Sequence, residues 1–244
     1  MSISKCIFSF FLFLFSHTIL AQETKKDSII TPAKTERYGL RVGIDALKLA
    51  KSFYQEDYRG LEIVGDYRLT KKYYLAGEIG NEKRTIDEDR VNFTTSGTYF
   101  KVGFDYNAYE NWLDMENMIH IGLRFGASTF NQELITYRVY NPNPYFGNSP
   151  TVISGRKFDG LSAQWVEIVA GVKAELFSNF YAGFNFRINY LIGNKESSEF
   201  ANLYIPGFNK KYEGNFGVGF NYTLSYFIPI YKKKLLPKTE EIKK

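Results

Sequence analysis

Between Asn179 and Gly193 the chain alternates with period two. Phe180, Ala182, Phe184, Phe186, Ile188, Tyr190 and Ile192 share one parity, and Gly183, Asn185, Arg187, Asn189 and Gly193 the other. A period of two places the two sets on opposite faces of a strand. One face is aromatic and aliphatic, the other glycine, amide and guanidinium. That division suits a closed barrel with hydrocarbon outside and a polar interior.

Seven more stretches repeat the pattern, and the eight lie near 37–48, 59–70, 72–84, 97–108, 117–130, 162–177, 179–193 and 213–230. Each supplies the roughly 9–11 residues that a tilted strand needs to cross a bilayer. Phe100, Val102, Phe104 and Tyr106 oppose Lys101, Gly103, Asp105 and Asn107; Ile119, Ile121, Leu123 and Phe125 oppose His120, Gly122, Arg124 and Gly126. Gly65 and Gly77 break the apolar parity, and Val64 and Val169 the polar one. The connections give an independent test, because they alternate in length. Those at 70–72, around 110–116 and at Ser178 are short, while 49–58, 85–96, 131–161 and 194–212 are long. The expected fold is therefore all-β: a closed antiparallel up-and-down transmembrane barrel of eight strands, with a polar lumen and four long outer loops. An even strand number leaves both termini at the short-turn, periplasmic end. Tyr38, Tyr67, Tyr73, Tyr106, Trp112, Phe180, Tyr226 and Phe227 form the expected aromatic girdle there.

The N-terminus carries Lys5, an apolar run from Cys6 to Phe15, and a small residue, Ala21, before Gln22. This is the order of a cleaved secretory signal peptide over 1–21. The Ser16-His17-Thr18 interruption argues against a membrane-anchoring helix. A periplasmic segment over 22–36, a barrel over 37–231 and a basic tail over 232–244 complete the organisation. The single cysteine, Cys6, leaves with the signal, so no disulfide or thiolate site is expected. The formal net charge of +5 is mild and dispersed, which argues against a nucleic-acid partner.

A soluble barrel with its apolar face inward is the main structural competitor. Glycine weighs against it. Eleven glycines between Gly39 and Gly219 share the polar parity, and a narrow eight-stranded lumen needs small residues among large ones, whereas a solvated surface does not. The lumen would then hold Asp45, Glu62, Asp66, Glu78, Asp105, Glu167 and Glu175 with Arg41, Arg68, Lys101, Arg124, Lys173 and Arg187. Acids and bases nearly balance, and in a poorly hydrated interior they must pair. The expectation is an ion-paired plug, with a proton or solute path as the alternative.

Motifs for chemistry are sparse. His120 is the one imidazole outside the signal, and its parity points it into the lumen as a hydrogen-bonded residue. Without a second histidine or a thiolate neither a metal nor another cofactor is expected, and no nucleophile elbow accompanies it, so no catalytic residue is assigned. Asp87-Glu88-Asp89 lacks the spacing of a calcium loop and reads as solvated charge. In the third long loop, Tyr137, Tyr140, Tyr145 and Phe146 surround a proline-stiffened Asn141-Pro142-Asn143-Pro144 run. Those rings suit either a recognition loop or a cap folded over the barrel mouth.

Three segments, 99–107, Gly122-Leu123-Arg124-Phe125 and Tyr204-Ile205-Pro206-Gly207-Phe208, resemble an uncharacterised outer-membrane β-barrel family of Bacteroidota, a domain of unknown function. The resemblance implies the cell envelope and an eight-stranded barrel, and supplies no activity, cofactor or catalytic residue. The function expected is structural or anchoring, with surface loops for recognition. The expected partners are outer-membrane lipids, the barrel assembly machinery during biogenesis and a surface ligand. The alternatives are an envelope lipid-modifying enzyme and a narrow pore.

Overall fold

Eight long strands make up the fold: β1 (Thr35–Asp45), β2 (Tyr58–Arg68), β3 (Tyr73–Glu88), β4 (Val91–Asn107), β5 (Met118–Arg138), β6 (Thr151–Phe177), β7 (Phe180–Lys195) and β10 (Phe216–Lys234). Each is hydrogen-bonded to two neighbours, and they close on themselves in the order β1-β10-β7-β6-β5-β4-β3-β2. A two-stranded ribbon, β8 (Tyr204–Ile205) and β9 (Asn209–Lys210), lies in the connection between β7 and β10. The computed structural model describes residues 35–109, 116–143, 145, 147 and 149–234. The expected signal peptide, most of the 22–36 segment, Trp112 and Phe146 lie outside them.

All pairings in the barrel are antiparallel. Stepping from partner to partner, Phe216 leads through Tyr190, Val166, Phe125, Val102, Gly77, Gly65 and Val42 to Tyr226, ten residues further along β10. A stagger of that size over eight strands tilts them about 40° from the axis, and leaves an interior just wide enough for side chains. The alternation then sorts the residues. Leu61, Ile79, Phe100, Ile121, Ile168 and Phe220 are exposed on the outer wall, while Arg41, Asp66, Lys101, Asp105, Glu167 and Arg187 are buried within it. Val169, anticipated as an exception, does face inward and is buried.

Several boundaries differ from the sequence expectation. Residues 85–96 are not a long loop: β3 and β4 continue to a turn at Asp89-Arg90. Strand also occupies most of 131–161, since β5 runs to Arg138 and β6 begins at Thr151. Polar side chains on both faces hide strand character from a reading based on alternation. The last strand runs through Lys232 and Lys233 to Lys234, which pair with Arg37, Glu36 and Thr35, so these lysines are not a free tail. Within the girdle, Tyr67, Tyr73, Tyr106, Phe180 and Tyr226 keep at least part of their surface outside, but Tyr38 and Phe227 are buried. The register slips between Tyr38 and Gly39, opposite Pro229. Proline cannot donate to the ladder, and the resulting bulge turns the parity of the β1 end at Tyr38, whereas Phe227 continues the inward parity of Thr223 and Ser225.

The first connection, expected as loop over 49–58, begins with helix α1 (Ala46–Tyr54). Asp45 starts it by accepting hydrogen bonds from the Leu47 and Lys48 amides at 2.9 and 3.2 Å. Because β1 ends at Asp45, residues 58–62 of β2 and 216–222 of β10 have no strand on their facing edges. Helix α1 packs against both strands and fills the breach. Ser52 Oγ accepts from the Gly60 amide at 2.7 Å and lies 2.9 Å from the Gly60 carbonyl, taking the place of a ladder partner.

Candidate functional site

The interior is organised as a column of charges. Nearest the short turns, Arg37 Nη2 lies 3.1 Å from Glu116 and 3.4 Å from Glu175, and Arg68 Nη1 is 3.3 Å from Glu116. Above them a second, connected chain begins at Arg41, 3.2 Å from Asp66, which also takes Lys173 at 2.6 Å. Lys173 reaches Asp105 at 4.0 Å, and Asp105 holds Arg124 at 2.7 Å. Arg187 donates to both oxygens of Glu78, at 2.6 and 2.9 Å, and lies 3.3 Å from Glu167. Lys101 bridges Glu78 at 3.2 Å, Glu167 at 3.4 Å and Glu62 at 3.8 Å. Lys48 closes the chain at 3.0 Å from Glu62 and 3.7 Å from Glu82.

From Arg41 to Glu82 this chain contains six cations and six carboxylates. Equal numbers matter because an unmatched charge in so dry a space costs several kcal/mol. Phenols and an indole satisfy further carboxylate lone pairs: Tyr99 donates to Glu62 at 2.6 Å, Tyr204 to Glu82 at 2.5 Å and Trp165 to Glu167 at 2.7 Å. A void of about 20 Å³, bordered by Arg41, Asp66, His120 and Lys173, has room for a single water.

Above the charges lies an apolar lid. Tyr204, Ile205, Pro206, Gly207 and Phe208, from the ribbon between β7 and β10, are all buried in the barrel mouth. Phe208 meets Trp165 edge to face at 5.8 Å, and both pack with Tyr99, Phe130, Leu161 and Leu191. The Gly207 amide donates to Glu82 at 3.1 Å, fixing the lid to the top of the charge column. Gly207 has φ +82°, and a Cβ there would meet the Tyr99 ring, so the turn requires glycine. Outside, Lys210 pairs with Glu88 at 2.8 Å. The hydrogen bond and charge of Glu88 hold the Lys210 ammonium above its ordinary pKa.

Most of the residues expected in the lumen meet there. Asp45 differs, serving as the cap of α1 without an ion pair among the described residues. His120 is fully buried but makes no hydrogen bond among the described residues; its Nε2 is 3.9 Å from Asp105. Arg124 already engages that carboxylate, and the imidazole lies over Gly171 instead. Lys48, Glu82, Tyr99 and Glu116 belong to the network and were missed. Lys48 falls at the end of the first expected strand, on the outward parity of Leu40, Val42 and Ile44, and it enters the lumen only because helix α1 replaces the strand there, whereas Glu82 and Tyr99 share the inward parity of Glu78 and Lys101 and could have been found from it.

Among the described residues of the candidate recognition loop no ring is folded over the mouth. Tyr137, Tyr140 and Tyr145 are exposed, Tyr145 at 89%, and the Arg90 guanidinium lies 4.3 Å from the Tyr140 ring centroid. Tyr137 is the penultimate residue of β5 and borders a recess of about 600 Å³ with Val91, Leu134, Phe158 and Phe200. Arg156 and Glu199 form an ion pair at its lip. Among the described residues no group of histidines and carboxylates is arranged to hold a metal ion, and no helix is long and apolar enough to cross a membrane.

Comparison with known proteins gives a family and a distant structural likeness. The family model described as "Domain of unknown function (DUF6048)" matches residues 3–233. Two crystal structures of Ail, the attachment invasion locus protein of Yersinia pestis, also align with the chain. One has 11% identity and a TM-score of 0.39; the other, in complex with the heparin analogue sucrose octasulfate, has 12% and 0.36. Each alignment covers 81% of this chain and 98% of the Ail chain. No curated protein matches the sequence significantly.

Proposed function

The chain belongs to the DUF6048 family, and from that premise we propose that it is an integral outer-membrane barrel with an anchoring and surface-recognition role. One observation carries this reading: the sidedness of the wall. Phe100, Val102 and Phe104 on β4, with Ile119, Ile121, Leu123 and Phe125 on β5, form a continuous exposed apolar surface, while the ionic groups are inside. Water would penalise such an exterior, at roughly 25 cal/mol per Å² of apolar surface, whereas acyl chains would cover it. The ion-paired interior and its lid favour a closed, rigid body over a pore. The exposed tyrosines and the adjoining recess supply a contact surface at the long-connection end.

In this reading the protein is not an enzyme. It is exported through a cleaved signal peptide, inserted by the barrel assembly machinery and surrounded by outer-membrane lipid. The test is a gel comparing unboiled and boiled outer-membrane fractions. A heat-dependent change in migration is expected, with no conductance in planar bilayers. A soluble periplasmic product without that shift would refute the location, and steady unitary currents would refute the closed body.

A further inference from the structure

On the outer wall, β2 and β3 place two cations directly opposite each other. Arg59 and Lys83 are cross-strand partners, and both are exposed. Like charges at such a position repel; the Arg59 guanidinium donates to the Gln55 and Tyr58 carbonyls at 2.9 and 2.8 Å, which leaves the net positive charge of the pair uncompensated. Glu56 and Asp57 precede Arg59 in the chain, yet no ion pair links either cation to a carboxylate among the described residues. The next outward pair toward the short turns is Leu61 with Asn81, and the one after it Ile63 with Ile79. Each step covers two residues, about 6.6 Å along the strand. Charge, then amide, then hydrocarbon is the order of groups met on passing from a lipid head group into its chains.

The lower part of this column is concave. A groove of about 470 Å³ runs beneath the cations, bounded by Leu61, Ile63, Ile79, Phe100 and Ala127, with Asn81 and Thr98 toward its upper end. None of its lining residues is an acid, a base or a histidine. Its volume is within the range of sites that hold small ligands.

We infer that Arg59 and Lys83, with the groove beneath them, seat one anionic lipid of the outward leaflet, its phosphate between the two cations and one acyl chain in the groove. The inference rests on the membrane reading above. It adds what that reading lacks, a specific lipid position on an otherwise uniform wall.

The test uses the full chain purified in micelles containing equal phosphatidylglycerol and phosphatidylcholine, with retained lipid counted by native mass spectrometry. The wild type is expected to keep one phosphatidylglycerol in preference to phosphatidylcholine. In Arg59→Gln/Lys83→Gln the preference should fall roughly fivefold for each cation removed, the effect of about 1 kcal/mol per basic residue at an anionic surface. Ala127→Phe fills the groove and keeps both cations, and should also reduce lipid retention. Excess inorganic phosphate should leave the lipid bound. Displacement by phosphate would mean a simple anion site, and equal retention of the two lipids would mean no site; either overturns the inference. The heat-shift gel on the same samples separates the two readings. A preserved shift without lipid preference defeats the seat alone, and a missing shift in the wild type defeats the membrane reading.

Discussion

Replacing Arg187 by methionine removes the cation with the tightest contacts in the charge column: two to Glu78, at 2.6 and 2.9 Å, and one to Glu167 at 3.3 Å. At an effective dielectric near 20 a pair at 4 Å is worth about 4 kcal/mol, so the attraction lost is larger than the stability of many domains can absorb. The net effect is smaller, because desolvation of the guanidinium is also removed. Breaking one partner of a buried pair typically costs about 3–5 kcal/mol. Lys101, 3.2 Å from Glu78 and 3.4 Å from Glu167, remains to offset part of the orphaned charge. The expected loss is therefore near the lower limit, about 3 kcal/mol. Arg187→Met/Glu78→Gln restores equal numbers of cations and carboxylates and should recover about 2 kcal/mol of it. Urea unfolding from phospholipid vesicles, followed by tryptophan fluorescence, measures both variants. If the double variant is no more stable than Arg187→Met, charge balance is not what organises the interior.

Ser52→Ala leaves the Gly60 amide and carbonyl without their side-chain partner, and should cost about 1–2 kcal/mol while speeding amide exchange at Gly60. Gly207→Ala forces a Cβ toward the Tyr99 ring at a positive φ; loss of near-ultraviolet circular dichroism from the Trp165–Phe208 contact would report displacement of the lid, and an unchanged spectrum would contradict its tight seating. The Lys210–Glu88 pair fastens the ribbon to the β3–β4 turn from outside. Because Glu88 raises the folded-state pKa of Lys210, this contribution is present at neutral pH and lost as pH rises through that raised value. Protease sensitivity of residues 196–215 should increase there, and Lys210→Met should abolish the increase.

The wall was legible in the sequence because its two faces differ in polarity: Phe100-Lys101-Val102-Gly103 announces both the strand and its orientation. Beyond the apolar belt that contrast ends. Thr94, Thr95 and Ser96 carry hydroxyls on both faces, so the continuation of β4 could not be told from loop by periodicity. Helix α1 was hidden for another reason. Nine residues are short for an independent helix, and its formation depends on the breach between β2 and β10, which exists only after the sheet has closed. The charge column was recovered largely from parity, but partner identities such as Arg187 with Glu78, 109 residues apart, are fixed by stagger, which composition does not encode. The lid falls in a segment expected as a long outer loop: Tyr204–Phe208 is an apolar run holding a proline-glycine pair, and nothing local specifies that it turns inward.

The helical patch also bears on how the molecule completes itself. Its two flanking strands meet through β1, and β1 joins β10 at the junction between the first and last strands in the chain. That junction cannot form until synthesis of β10 is finished. Docking of α1 needs β10 in place, so it belongs to the final stage of maturation. A short amphipathic segment early in the chain thus waits for the last strand, and the contact of the Lys51 ammonium with the Phe220 ring, 6.0 Å from its centroid, would mark molecules whose circumference is complete.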